Sequence, residues 1–318
     1  MEGALSHSFG SEDWGVILGG SSGFGLATAH KLAAHGLNLA LVHRDRRGAM
    51  HRIEPEFEKV RGTGVQLRTW NADALDAAKR AEIVAELKQT LGAGRVRMLL
   101  HSIAFGNLKL LVTEQPKPST AAAELAAELG VDAAKLVAAA DKLLAEGRDE
   151  LAEIATPPAY PTHSYLDTDD FSRTIHCMGT SLLDWVQDLH REGLFAADAR
   201  VFGLTSEGNQ VAWKGYAAVS AAKVSLEALA RSIAMEFAPY GLRCNVLQPG
   251  VTETPALAAI PGSDRLKAHA RLRNPFRRLT TPRDVANVVY LMCLDEAAWI
   301  NGSVIRVDGG EHVAGSTS

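Results

Sequence analysis

Three side chains near residue 210 have the types and spacing for chemistry on an oxygen atom. Tyr216 stands seven positions before Lys223, and Ser206 stands ten before Tyr216. A phenol can donate a proton or a hydrogen bond to an oxygen that gains negative charge, but its ordinary pKa near ~10 makes it sluggish. A neighbouring ammonium favours the phenolate and improves proton exchange. Seven residues are nearly two helical turns, so both side chains project from one face, roughly 10 Å apart along the axis. Ligand groups would bridge such a pair. Taken singly, Tyr216 is a helix-start aromatic and Lys223 a solvated surface charge.

These residues need a strand and a helix to carry them. Leu204 closes an apolar run, Ser206 follows in a loop, and a helix is expected over Gly215–Ala238. Near the start of the chain, Trp14–Leu18 is a short apolar run bounded by glycine, as in a strand buried on both faces of a parallel sheet. The loop Gly19-Gly20-Ser21-Ser22-Gly23-Phe24-Gly25 then opens an amphipathic helix through His35. Glycine suits a tight turn with close approach to a diphosphate, whose charge would face the free N–H groups of the helix start. The plainer alternative is an ordinary strand–helix turn.

The second strand, Leu37–Val42, is followed by His43-Arg44-Asp45-Arg46-Arg47. An acid at this strand end suits the ribose hydroxyls of NAD, and arginine suits the 2′-phosphate of NADP. Three guanidiniums favour NADPH, with NADH the alternative and Asp45 the counter-argument. A helix at 49–61 leads to a third strand, Val65–Trp70. Asp73 follows, either as an acceptor for an adenine amine or as a helix N-cap. A helix at 77–91 and a fourth strand, Val96–Leu100, precede His101-Ser102-Ile103-Ala104. This alternation predicts an α/β fold: one doubly wound, Rossmann-like parallel sheet of about seven strands.

Residues 107–165 break the alternation. From Lys117-Pro118-Ser119 onward the composition suits two or three helices, interrupted near Gly130 and Gly147 and ended by Pro157, Pro158 and Pro161. We read a helical insertion in a single domain spanning 1–318, emerging beside the strand ends where ligands bind. Its role is either lid or stabilising outgrowth. A long helix over Phe171–His190, strands at Arg200–Leu204, Leu242–Leu247 and Ser303–Val307, and a helix near 282–294 complete the pattern. Residues 251–278 form a substrate-side loop region.

The 318 residues are 47% hydrophobic and 22% charged, as in an ordinary globular protein. A net charge of −4 argues against nucleic-acid partners. No apolar run reaches the roughly 18–20 residues of a membrane span, and the first residues show no basic-then-apolar leader. Three scattered cysteines (Cys177, Cys244, Cys293) fit reduced thiols in a cytoplasmic protein. His101, His163 and His176 lack close metal-ligand spacing. No nucleophile elbow or Walker-type lysine is present. The cations Arg265, Lys267, Arg271, Arg273, Arg277 and Arg278 suggest either a docking patch for an acidic carrier or a solvated face.

Taken together, Gly19-x3-Gly23-x-Gly25, Pro249-Gly250…Thr254 and Ile305-Arg306-Val307-Asp308-Gly309-Gly310 resemble the short-chain dehydrogenase/reductases over nearly the whole chain. Most members place the tyrosine four residues before the lysine, where this chain has Val219. The Tyr-x6-Lys pair and His101-Ser102-Ile103 instead resemble the enoyl-(acyl carrier protein) reductases of that superfamily. Many of those carry a second tyrosine where Ser206 stands, and His176 falls where ordinary members have a relay asparagine. The resemblance implies reduction of a 2-enoyl thioester by NAD(P)H. Tyr216 would stabilise the enolate oxygen, Ser206 would assist, and Lys223 would hold the cofactor ribose. The implied cofactor contacts are Gly19, Ser21, Ser22, Gly23, Phe24 and Gly25; Arg44, Asp73 and Ala74; Ser102, Ile103 and Ala104; and Lys223, Pro249, Gly250, Thr252 and Thr254. A homotetramer and an acyl carrier protein partner are also implied. Two further readings remain: a carbonyl or alcohol oxidoreductase acting through Ser206 and Tyr216, and a non-catalytic NADP(H) sensor.

Overall fold

The structure is a computed structural model that describes residues 9–113, 120–160 and 165–315. Lys117, Pro118, Ser119, Pro161 and His163, singled out above, lie outside the described residues. Seven parallel strands form one sheet in the order β3-β2-β1-β4-β5-β6-β7. They are β1 (Asp13–Leu18), β2 (Asn38–His43), β3 (Leu67–Asn71), β4 (Arg95–His101), β5 (Phe195–Leu204), β6 (Leu242–Pro249) and β7 (Val304–Val307). The order reverses between β1 and β4, so a crevice opens at their carboxyl ends, where such sheets bind ligands. Register brings Leu18 beside His101, His101 beside Gly203, and Leu204 beside Leu247. The residues after all four strand ends therefore share one rim.

Both faces are covered, which explains the continuous apolar runs of the central strands. One core packs Leu18, Val42 and Leu99 against Trp185 and Leu226. The other packs Ile17, Leu41 and Leu100 against Leu32, Phe57 and Val289. The helices on the chain's first half are α1 (Gly23–Ala33), α2 (Met50–Arg61) and α3 (Ala77–Leu91). The insertion supplies α4 (Thr120–Glu128) and α5 (Ala133–Ala145), ended near Gly130 and Gly147 at φ 65° and 88°.

The single helix expected over 171–190 is interrupted. It runs as α6 (Thr168–Ile175), a π-helical turn (His176–Thr180) and α7 (Ser181–Arg191). Gly179 sits against the backbone of α8 (Ala217–Glu236), where a Cβ would come within 2.9 Å of the Ala222 carbonyl oxygen. That close approach is a tertiary constraint with no local sequence signal. β5 also begins five residues earlier than expected, at Phe195 rather than Arg200. The remaining helices are α9 (Pro255–Ala258), α10 (Ser263–Arg273) and α11 (Pro282–Cys293).

The insertion leaves the end of β4 and returns to pack on α10. Ala140, Leu144, Ala152 and Ala155 enclose Ala268 of that helix. Arg271 makes a forked ion pair with Asp149 at 2.7 and 2.5 Å, and Arg265 meets Glu153 at 3.0 Å. At its far end Tyr160 donates to the Lys214 carbonyl, just before Tyr216.

Candidate active site

A cleft of about 580 Å³ lies across the strand ends and takes its lining from the glycine loop, the exits of β2 to β6 and the α9–α10 region. Gly19 turns at φ 84°, and a Cβ there would sit 2.5 Å from the Ser102 carbonyl oxygen. A Cβ on Gly25 would overlap the Gly19 carbonyl. Ser22 caps α1 without a side-chain hydrogen bond, so the first N–H groups of α1 remain available for an anion. This cradle fits a dinucleotide diphosphate. Gly19, Ser21, Ser22, Gly23 and Phe24 line the cleft; Gly25 lies beneath it and serves the packing of helix on loop.

At the β2 end the three-arginine clamp is not assembled. Among Arg44, Arg46 and Arg47, only Arg44 lines the cleft. Its guanidinium donates to Asp73 at 2.7 Å and lies over the Phe105 ring, 5.5 Å from the centroid. Arg44 and Asp73, expected to meet different parts of a cofactor, here hold each other. Both are substantially exposed, at 57% and 38% of the side chain, so the pair costs little to open. The Asp45 carboxylate pairs with His43 at 2.9 Å, a ring buried at the strand end.

Tyr216 forms the N-cap of α8 rather than part of its regular turn, at φ −106° and ψ 3°. Its ring lies against Gly208, where a side chain would collide, and meets the Trp213 edge at 5.4 Å between centroids. The Tyr216 hydroxyl is 3.2 Å from Ser206 Oγ. Glu227 of α8 holds the loop carrying Ser206, accepting from Thr205 and from Asn209. Burial pushes the Tyr216 phenol above its usual pKa, partly offset by the Ser206 bond. Lys223 is buried, its Nζ donates to the Leu204 carbonyl at 2.8 Å, and desolvation presses its pKa down to about 8. In its neutral form a phenol is a hydrogen-bond donor.

On the far side, Thr252 donates to the Gly250 carbonyl at 2.9 Å, and Thr254 caps α9 by accepting from Leu257 N at 3.2 Å. Ala74, Ser102, Ile103, Ala104, Pro249, Gly250, Thr252 and Thr254 all line the cleft. The acceptor end is apolar, with Leu108, Met178, Trp213, Val219, Leu257 and Ile260.

His101 is a core group: desolvation holds its pKa at about 3, and its Nε2 meets Ser181 Oγ at 2.8 Å. Ser181 Oγ itself donates to the Cys177 carbonyl, so His101 carries its proton on Nε2. His176 is half exposed and pairs with Asp184. Among the described residues no cluster could hold a metal. The cations at 265–278 are turned onto groups of the same chain: Arg265 on Glu153, Lys267 on Asp264, Arg271 on Asp149, Arg273 on Glu207, and Arg278 on Asp284. Arg277, at φ 52°, donates to the Leu272 carbonyl. Glu207, Trp213 and Phe105 line the cleft without having been assigned a role from sequence. An acid directly after Ser206 was the one local signal for Glu207.

The family model described as "Enoyl-(Acyl carrier protein) reductase" matches residues 19–154 and 151–312. A probable 2,4-dienoyl-CoA reductase of Bacillus subtilis is 26% identical over 93% of this chain and 95% of its own. Levodione reductase of Leifsonia aquatica is 28% identical over 94% of each. The enoyl-[acyl-carrier-protein] reductase [NADH] FabI of Escherichia coli is 36% identical, over 34% of this chain and 41% of its own. Other matches are local: the chain covers 51% of Protein FixR of Bradyrhizobium diazoefficiens and 62% of a Sinomonas cyclohexanicum dehydrogenase. A Burkholderia cenocepacia short-chain dehydrogenase in complex with NADP has the same fold, at TM-score 0.68 and 19% identity over 97% of this chain and 99% of that one. By sequence and fold, the chain belongs to the short-chain dehydrogenase/reductase superfamily, within the family described by the enoyl-(acyl carrier protein) reductase model.

Proposed function

We propose that this protein is an NAD(P)H-dependent oxidoreductase that reduces the 2,3-double bond of an enoyl thioester. The observation that carries this reading is the placement of Tyr216 at the apolar end of the cleft, seven residues before Lys223 and with Val219 at the one-turn position. A bound nicotinamide supplies the hydride. As hydride reaches the β-carbon, the double-bond electrons move onto the thioester oxygen, and Tyr216 hydrogen-bonds the oxygen where charge develops. Ser206 orients that phenol. Lys223, largely protonated at neutral pH, exchanges the Leu204 carbonyl for ribose hydroxyls, and the α-carbon takes its proton from water.

Arg44 at the β2 end supports NADPH over NADH. Three buried, free thiols support a reducing, cytoplasmic setting. Trp299, 97% exposed and five residues before β7, supports self-association, with the tetramer as the expected form. The carrier is proposed as coenzyme A or acyl carrier protein, although the paired cations at 265–278 leave little free charge for an acidic partner.

The 3.2 Å contact between Ser206 and Tyr216 favours a second reading, ketone reduction, in which both hydroxyls bind the carbonyl oxygen. Oxidation of NADPH is followed with crotonyl-CoA, 2,4-hexadienoyl-CoA and a panel of cyclic and 3-oxo ketones. We expect turnover with the thioesters. Ketone turnover alone replaces the first reading with the second, and NADPH binding without turnover of any acceptor leaves a sensor.

A further inference from the structure

Directly behind the Ser206 loop lies an ionic bridge that the reaction above does not use, its carboxylates buried and its arginine side chain 31% exposed. Glu207 follows Ser206 in sequence and Glu311 lies in the C-terminal segment; they are 7% and 2% exposed, and both line the cleft. Arg273, the last residue of α10, joins them. It donates to the two oxygens of Glu207 at 2.7 and 2.6 Å and to Glu311 at 3.1 Å. The Glu311 carboxylate also accepts from Val251 N at 3.3 Å, in the turn after β6. A single guanidinium therefore connects three walls of the cleft: the Ser206 loop, the Gly250–Thr252 turn and α10.

Net stability is a poor account of such an arrangement. Desolvating the two carboxylates offsets much of the attraction, and water screens the partly exposed guanidinium. What a planar fork provides is fixed relative position and direction. Position matters here because Ser206 is one peptide unit from Glu207, and the Ser206–Tyr216 contact is the geometry on which oxygen binding depends. Two residues earlier on the same helix, Arg271 forks onto Asp149 of the insertion. The end of α10 is thus held inward to the catalytic loop and outward to the insertion.

We propose that Arg273 is a positioning residue: the Glu207–Arg273–Glu311 bridge fixes α10 relative to the Ser206 loop and so sets the acceptor site. This rests on the cleft being the site of reduction, and holds for an enoyl thioester or a ketone. Loss of the bridge loosens the Ser206 loop and α10 together while leaving the glycine loop intact.

The test uses the full-length protein with Arg273→Met, Arg273→Lys and Glu207→Gln. Three quantities are measured: KM and kcat for crotonyl-CoA with NADPH, the NADPH Kd by fluorescence titration, and amide hydrogen exchange by peptide. For Arg273→Met we expect KM to rise about fivefold or more, equivalent to roughly 1 kcal/mol, with the NADPH Kd within about twofold. Exchange should quicken jointly in 205–210 and 263–273. Arg273→Lys should recover part of the KM. The proposal is overturned if exchange quickens in α10 alone, or if KM and Kd rise equally. If wild type does not reduce crotonyl-CoA, the enoyl reading fails, and the exchange pattern still decides whether the bridge couples the two segments. If Arg273→Met does not fold, Glu207→Gln, which keeps the shape and removes one charge, is judged by the same criteria.

Discussion

The cofactor flank of the cleft is built mainly from backbone, the Arg44–Asp73 pair apart, whereas its acceptor flank is built from charge. On the first, Gly19 and Gly23 turn at positive φ within a few residues, and Gly19 and Gly20 both donate to the Val42 carbonyl. On the second, Arg271 reaches Asp149 and Arg273 reaches Glu207, partners 122 and 66 residues away. The backbone flank leaves N–H groups and an open groove suited to a ligand of fixed shape. The charged flank fixes elements of different parts of the chain against one another around an apolar space. One flank fits a constant cofactor; the other, on the function proposed above, is where an acceptor is selected.

This difference is a set of measurable contrasts, starting with the largest. Tyr216→Phe removes the oxygen donor from the acceptor flank alone. Its kcat should fall about 10²–10³-fold, the usual effect of losing one oxyanion donor, while the NADPH Kd stays within twofold. A parallel loss of cofactor affinity would show that the flanks are not separable.

Lys223 lies between the flanks, and its effect should depend on pH. In the folded protein it loses its proton near 8, whereas an unfolded lysine keeps it to about 10.4. Between these values the unfolded chain binds more protons, so the folded state gains stability as pH rises. Below pH 8 the buried ammonium is a standing penalty. Lys223→Met should therefore resist urea better than wild type at pH 7, by about 2 kcal/mol once the lost bond to Leu204 is subtracted. The advantage should vanish by about pH 10; a pH-independent difference would assign it to packing.

Arg44→Ala acts on the cofactor flank only. We expect the NADPH-to-NADH ratio in kcat/KM to fall about tenfold, the loss of roughly one charge-assisted contact, with the KM for the acceptor unchanged. An unchanged ratio clears Arg44. The smallest effect belongs to Asp149→Asn, which weakens the outer hold on α10. The acceptor KM should rise about threefold, below 1 kcal/mol, at constant NADPH Kd; a change in Kd instead would make the insertion part of the cofactor flank.

Legibility in the sequence follows the same division. The strand alternation, the glycine loop and the Tyr216–Lys223 pair are local patterns, and the structure places them on one rim. Arg44 was visible, but its bond to Asp73 was not, since that contact depends on β2 and β3 ending side by side. The cations at 265–278 were visible as a run, yet their partners come from the insertion, the catalytic loop and neighbouring turns. A run of like charge does not reveal whether carboxylates fold against it. The π-helical turn in the 171–190 helix was likewise not visible locally, since the close packing of Gly179 is against the α8 backbone, 43 residues on.

The long reach of the Arg271 and Arg273 ion pairs also bears on the order in which the molecule assembles and opens. Contacts across 122 and 66 residues close large loops, and closing them costs chain entropy before any bond is made. The glycine loop, by contrast, takes its backbone bonds from Val42 at the end of the adjacent β2, with Ser102 after β4 packed against Gly19. The acceptor flank is therefore expected to consolidate last during folding, after β5 and β6 have docked. It is also expected to open before the sheet does, which quicker amide exchange in 263–273 than in the central strands would show.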